Sequence, residues 1–216
     1  MKVNVAIFTF LSFMLACLFA VLIPQPAYKT GLSALNAEEQ AMINDAFEEE
    51  NSILNDAVNY NQVLESVNNL SKLDWFDVVN NFWEKYNSVA KVIDCQTKKS
   101  YKVIRVGGYN HADVQPIDAE NTAVMKSIYD GVWSWVRRPV WVLINGSYVA
   151  ASINGMPHGY SLIENNGMDG HTCIHFLNSK THGTKRVDEA HQAAVEYAYN
   201  HKSELLEMLL DEMLKM

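Results

Sequence analysis

The chain has 216 residues, 49% of them hydrophobic and 19% charged, with a formal net charge of −8. That length supports one or two domains with a real core. The negative charge excludes the basic footprint of a nucleic-acid binder and simple electrostatic capture by anionic lipids or wall polymers.

Lys2 precedes an uncharged run from Ala6 to Ile23, whose only polar residues are Thr9 and Ser12. A charged start followed by such a run is the pattern of an export signal. The run exceeds the roughly 7–15 apolar residues of an ordinary signal core and approaches the roughly 17–25 of a membrane span. Residues 1–27 are therefore read as a signal peptide or a retained signal anchor. The protein is expected to be extracytoplasmic, either secreted or held at the membrane by residues 6–23. Gln25-Pro26-Ala27 is a poor cleavage site, and Cys17, inside the apolar run, does not fit lipoprotein processing.

A short linker over residues 24–36 leads into an acidic helical region, residues 37–88. Ala46, Ile53, Tyr60 and Val67 recur at seven-residue spacing beside Phe47 and Leu54, giving one apolar stripe on a helix. The other positions carry Glu38, Glu39, Asp45, Glu48, Glu49, Glu50, Asp56 and Glu65, with no Lys or Arg between Lys29 and Lys72. A second helix is expected from Asp74 to about Tyr86, with Trp75, Phe76, Val79, Phe82 and Trp83 apolar, so that the two form a helical hairpin.

From Ala90 the texture turns to short β-rich runs. Lys91 to Cys95 and Tyr101 to Val106 read as two strands joined around Thr97-Lys98-Lys99. Asp118 is a candidate N-cap for a helix ending near Tyr129, with Gly131 as its stop. Pro139 to Ile144 and Ser147 to Ile153 flank Asn145-Gly146, the strongest short-range hairpin signal. His171 to Leu177 is a further strand candidate after the Asn- and Gly-rich loop Tyr160 to Asp169, and an amphipathic helix closes the chain over residues 188–216. The expected fold class is α+β: an N-terminal helical hairpin, then a small mixed β-rich catalytic domain with a closing C-terminal helix.

Five of the seven histidines lie between His158 and His191. On a strand, period-two alternation puts His171, Cys173 and His175 on one face, with Thr172 and Ile174 on the other. A thiol needs a nearby base to act as a nucleophile, and a histidine can both take its proton and later protonate a leaving group. Cys173 has His158 and His171 close in sequence. Cys95, in Val92-Ile93-Asp94-Cys95, reads as an inert core residue. A single bridge between the two cysteines and a working thiol at one of them both fit the spacing. The rival chemistry is a zinc site, with His171, Cys173 and His175 as ligands and His158, His182 or His191 converging on them. Neither His-Glu-x-x-His nor a paired Cys-x-x-Cys is present. His111-Ala112-Asp113 reads equally as an orienting pair for a cleft or as a turn. Trp133-Ser134-Trp135 reads as packing or as a sugar-stacking surface. His182 lies in a polar loop that ends at a candidate N-cap, Asp188.

The pattern His158-Gly159, a loop, then Gly170-His171-Thr172-Cys173-Ile174-His175 resembles the L,D-transpeptidase signature. That signature is His-Gly, a gap, then Ser/Thr-His-Gly-Cys, an apolar residue and Arg. Val92-Ile93-Asp94 through Tyr101-Lys102-Val103 is similar to the way such domains open, and the resemblance covers about residues 91–186. It implies that Cys173 accepts the acyl group, that His158 is its base, and that His171 helps shape the site. Gly159, Gly170, Thr172 and His175 would then line the substrate. The implied partner is the peptide stem of peptidoglycan, attacked before its terminal D-alanine and passed to an amine or to water, with no cofactor. The sequence departs from the pattern at Gly170, Thr172 and His175, where Ser or Thr, Gly and Arg are expected. Arg137 and Arg138 are the candidates to replace that arginine at a substrate carboxylate. The alternatives are a zinc-dependent cell-wall hydrolase and an inactive peptidoglycan-binding module.

Overall fold

The structure is a computed structural model that describes residues 37–86 and 88–215. The expected signal or anchor segment lies outside the described residues. Among the described residues no helix is long and apolar enough to cross a membrane. The chain divides into two compact units at Val58. What is described of the first is the opening of a 32-residue helix, α1 (Ala37–Asn68). Tyr60, on the expected apolar stripe, is 44% exposed.

The second unit, Asn59–Met216, is organised on six antiparallel strands. They are β1 (Val89–Asp94), β2 (Ser100–Gly107), β3 (Ala112–Pro116), β4 (Arg138–Ile144), β5 (Ser147–Ile153) and β6 (Thr172–His175). The strands close into a barrel in the order β1-β2-β3-β6-β5-β4, which leaves no open edge. The mixed α+β class therefore holds. The β4–β5 turn is the expected hairpin, with Asn145 at φ 49° and Gly146 at φ 82°, both in the left-handed region that such a two-residue turn demands.

Period-two alternation divides the strand residues between two cores. Val92, Val103, Val114, Val140, Val142, Val149, Ala151 and Ile174 fill the interior together with Trp75, Trp83, Met125 and Phe176. Ile93, Cys95, Trp141, Tyr148 and Ala150 face outward and are covered by Val67 of α1, by Leu70 just after it and by the C-terminal helices. Those helices are α4 (Glu189–Asn200) and α5 (Lys202–Met213), which supply Val195, Ala198 and Leu205. Trp141 also donates its indole N–H to the Ala198 carbonyl at 2.7 Å. Burial on both faces explains why β4 and β5 read as continuous apolar runs.

Three elements differ from expectation. The helix expected from Asp74 to Tyr86 is a π turn, Trp75–Val79, followed by a single helical turn, α2 (Asn80–Phe82). The buried Arg105 guanidinium accounts for the stop: it donates to the carbonyls of Asn80 and Trp83, at 3.2 and 2.5 Å, which a longer helix would use internally. The closing helix breaks at His201 into α4 and α5. The loop expected around His111-Ala112-Asp113 contains β3, whose five residues are all buried. The helix read after Asp118 is α3 (Ala119–Ile128), and the Asp118 carboxylate accepts from Asn121 N at 2.8 Å.

Candidate active site

The site is assembled where β3 and β6 pair, with Asp113 opposite Cys173 in register. Just before β6, His171 and His158 form an isolated antiparallel bridge, exchanging backbone N–H···O bonds of 2.8 and 2.9 Å. Two glycines make that close approach sterically feasible. Gly170, at φ +99°, would put a side chain 2.6 Å from the His158 carbonyl oxygen, and a side chain on Gly159 would collide with the His171 ring. The His-Gly and Gly-His pairs are therefore the two halves of one clamp.

Within it, His158 Nε2 lies 3.2 Å from Cys173 Sγ. The other ring nitrogen, Nδ1, is 2.9 Å from the Met156 carbonyl, so the hydrogen-bond network assigns the proton to Nδ1 and leaves the Nε2 lone pair facing the thiol. The Asp113 carboxylate is beside them. Its Oδ1 lies 3.2 Å from His111 Nε2, 3.4 Å from His182 Nε2, 3.7 Å from His171 Nε2 and 3.9 Å from Cys173 Sγ. His111 and His171 are oriented as His158 is: the Nδ1 of each meets a backbone carbonyl, of Lys180 at 2.5 Å and of Tyr160 at 3.0 Å.

The charges are set by burial and by these neighbours. Burial works against ionisation of Asp113, but its His111 contact and the nearby His171, His111 and His182 rings hold its carboxyl below the usual range. Burial and then the Asp113 carboxylate push the Cys173 thiol well above its ordinary value. Burial lowers His158 and outweighs the opposing effect of its Met156 bond, with a smaller lowering contribution from His171. The resting pair is thus a neutral thiol against a neutral imidazole, unlike the pre-formed thiolate of an electropositive site.

Cys173, His158 and His182 open on a cavity of about 230 Å³, also lined by His111, Trp135, Arg137, Asn154, His175, Thr181, Gly183 and His191. A larger depression of about 800 Å³ is lined by Trp133, the Met156-Pro157 pair just before His158, and the loop from Ser161 to Asp169. Trp135 is half exposed, with its ring 5.0 Å from that of His158.

The remaining expected site residues have distinct positions. Arg137 reaches the cavity and pairs with Asp188 at 3.0 Å. The expectation for Arg138 is corrected: both Asp94 carboxylate oxygens hold it at 2.7 Å, so it has no free donor fork to offer a substrate. Thr172 is also turned away from the cleft, buried and hydrogen-bonded to the Asn154 carbonyl. His175 is buried on the cavity floor, stacked between His111 (4.4 Å) and His191 (3.7 Å). The zinc-ligand set expected from the strand pattern changes accordingly. The donor atoms that converge belong to His158, His171, Cys173 and His182, and to His111 and Asp113 in an overlapping group, without His175. Among the described residues Cys95 and Cys173 are both free thiols, with no bridge between them.

Asp113 is the residue that spacing alone left open between cleft and turn. The signal was faint: one carboxylate two residues after a histidine, in a segment whose strand character is hidden by Gly107-Gly108-Tyr109-Asn110. No protein-family model matches the chain, and neither a curated protein nor a solved structure matches it.

Proposed function

We propose that the protein is an exported cysteine acyltransferase acting on the peptide stems of the cell wall, of L,D-transpeptidase or L,D-carboxypeptidase type. The observation that carries this reading is the 3.2 Å approach of His158 Nε2 to Cys173 Sγ, with the imidazole tautomer fixed from behind by Met156. The resemblance of the His158-Gly159 and Gly170–His175 segments to the family signature supplies the substrate class.

In this reading His158 Nε2 takes the thiol proton as sulfur adds to the carbonyl carbon preceding the terminal residue of the stem. Collapse of the adduct breaks the C–N bond, and the leaving amine carries away the proton held by His158, leaving a thioester on Cys173. An acceptor amine or a water then loses a proton to His158 as it attacks the thioester, and the thiol is restored. Because burial and Asp113 disfavour a free thiolate, proton transfer and attack are concerted, as with a serine nucleophile. Arg137, which lines the cavity and is held by Asp188 and the Trp135 carbonyl, is the candidate cation for a substrate carboxylate. Trp133 and the half-exposed Trp135 offer flat apolar surface for a glycan or stem beside it.

The test is intact-mass spectrometry of the full-length protein mixed with a tetrapeptide stem. An adduct on Cys173 with release of D-alanine is expected. His158→Ala should slow its appearance by about 10²–10⁴-fold. Stem bound without D-alanine release would leave a binding module in place of an enzyme. Undiminished turnover by Cys173→Ala would end the proposal.

A further inference from the structure

We infer that Cys173 Sγ, His158 Nε2, His171 Nε2 and the His182 ring form a binding site for a borderline divalent ion of the zinc class, and that a bound ion silences the nucleophile. The second half of this inference rests on the acyl-transfer reading. The first half rests on the donor geometry alone.

These four donor atoms lie within 4.8 Å of one another. A tetrahedral ion with Zn–N of about 2.0–2.1 Å and Zn–S of about 2.3 Å needs ligand edges of about 3.3–3.8 Å. The 3.2 Å and 4.0 Å separations of Cys173 Sγ from His158 Nε2 and His182 Nδ1 bracket that range. The rings are also held as metal-bound imidazoles usually are. His158 and His171 each commit Nδ1 to a backbone carbonyl, which fixes the tautomer and aims Nε2 inward.

A second observation points to a cation. Among the described residues His171 Nε2 is a buried atom without a hydrogen-bond partner, and so is the neighbouring His111 Nε2. Both lie near Asp113 Oδ1, at 3.7 and 3.2 Å, but without hydrogen-bond geometry. The centre thus gathers lone pairs from three imidazoles, a carboxylate and a sulfur, with almost no protons to share among them. Unpartnered buried acceptors are costly. One divalent ion on the four donors gives His171 Nε2 a partner and places a positive charge beside Asp113 and the second acceptor, His111 Nε2. It displaces the thiol proton to solvent and forms an M–S bond, and its two positive charges are balanced by the thiolate and Asp113.

The donor set selects the metal class. Imidazole and thiolate favour zinc and its neighbours, whereas magnesium and calcium want oxygen ligands. His182 gives the ion a route in and out, because its side chain is 47% exposed while the other donors are largely covered. With the sulfur lone pair and His158 Nε2 both engaged, no base and no nucleophile remain for acyl transfer.

The experiment uses the full-length protein stripped with chelator, then titrated with Zn²⁺ against a chromophoric competitor and separately with Co²⁺. One ion per chain is expected, with a sulfur-to-cobalt charge-transfer band that Cys173→Ser removes. His182→Ala should weaken Zn²⁺ binding by about tenfold or more. It is the informative variant because a half-exposed side chain can be truncated without opening the core, and circular dichroism checks its fold. Zn²⁺ should also block alkylation of Cys173, and chelator should restore it. Absence of stoichiometric Zn²⁺, or binding indifferent to both His182→Ala and Cys173→Ser, overturns the site. Tight Zn²⁺ in a protein that never forms an acyl adduct when stripped upholds the site and removes the acyl-transfer reading. Acylation by a protein that takes up no Zn²⁺ does the reverse.

Discussion

Cys95 and Cys173 are equally hidden, at 1% and 3% exposure, yet different groups hide them. Cys95 sits in the outer core among Ile93, Trp141 and Ala198, and burial first, with Asp94 adding to it, pushes its thiol up. Cys173 is buried by imidazoles and a carboxylate, every one of which can accept or release a proton or hold an ion. Burial sets the resting protonation of a thiol, while the groups that bury it decide whether that state can change. The sharpest way to break it is to truncate each sulfur. Cys173→Ala should reduce stem turnover to background, and Cys95→Ala should leave it near wild type per folded molecule while costing about 1–2 kcal/mol of stability. Equal activity losses in the two variants, measured against the folded fraction, would mean that the site does not distinguish them.

The next largest effect tests whether the outer core is purely structural. Trp141 is fully buried, packs with Cys95 and binds the Ala198 carbonyl. Trp141→Ala should cost about 3–5 kcal/mol by urea denaturation. Below the melting transition the acylation rate of the surviving folded protein should hold. A large loss of rate with little loss of stability would tie the outer core to the chemistry.

The two regions meet on α4, whose Val195 and Ala198 serve the outer core while His191 lies over the cavity. His191 is bonded to Ser152 at 2.8 Å and stacked on His175. Burial lowers its pKa to about 4, against the pull of Asp188 and with help from Arg137 and His111. A histidine kept neutral in the fold but protonated in the unfolded chain makes stability fall as pH drops. The loss begins near the free value of about 6.5 and is complete near the folded value. For this one residue it amounts to at most about 3 kcal/mol. Urea midpoints of stripped protein at pH 7 and 4.5 should therefore differ, and His191→Gln should narrow the gap. His175, whose pKa burial also drives far down, keeps part of the slope. Identical midpoints for the wild type at both pH values would refute the argument.

Much of this was legible locally. Asn145-Gly146, the Asp118 and Asp188 caps and the β-rich runs of β4 and β5 each depend on neighbours a few residues away, and each reads correctly from the chain. His158, His171 and Cys173 were also visible as a group, because a bridge across a short loop joins them. Asp113 is ambiguous in the sequence because it reaches Cys173 only through barrel closure, across a sequence separation of 60 residues. Arg137 and Arg138 looked interchangeable. The strand start separates them: Arg138 opens β4 and turns to Asp94, while Arg137 stays at the rim. The truncated helix after Asp74 was hidden for a similar reason, since its breaker, Arg105, arrives from another strand.

The smallest effect contrasts two glycines of similar backbone conformation. Gly146, at φ +82°, has nothing among the described residues within 4 Å of an added side chain, whereas Gly170, at φ +99°, has the His158 backbone there. Gly146→Ala should cost about 1 kcal/mol, from backbone conformation alone, with no change in acylation. Gly170→Ala carries the same conformational cost, and its Cβ must also push His158 away from His171. The hydrogen bonds that define the clamp are short, at 2.8 and 2.9 Å, so the displacement passes directly to His158 Nε2. The expected signature is a modest difference in stability between the two variants beside a large difference in acylation rate. If Gly170→Ala acylates as fast as Gly146→Ala, the clamp does not set the Cys173–His158 distance, and the base must be sought in another ring of the cluster.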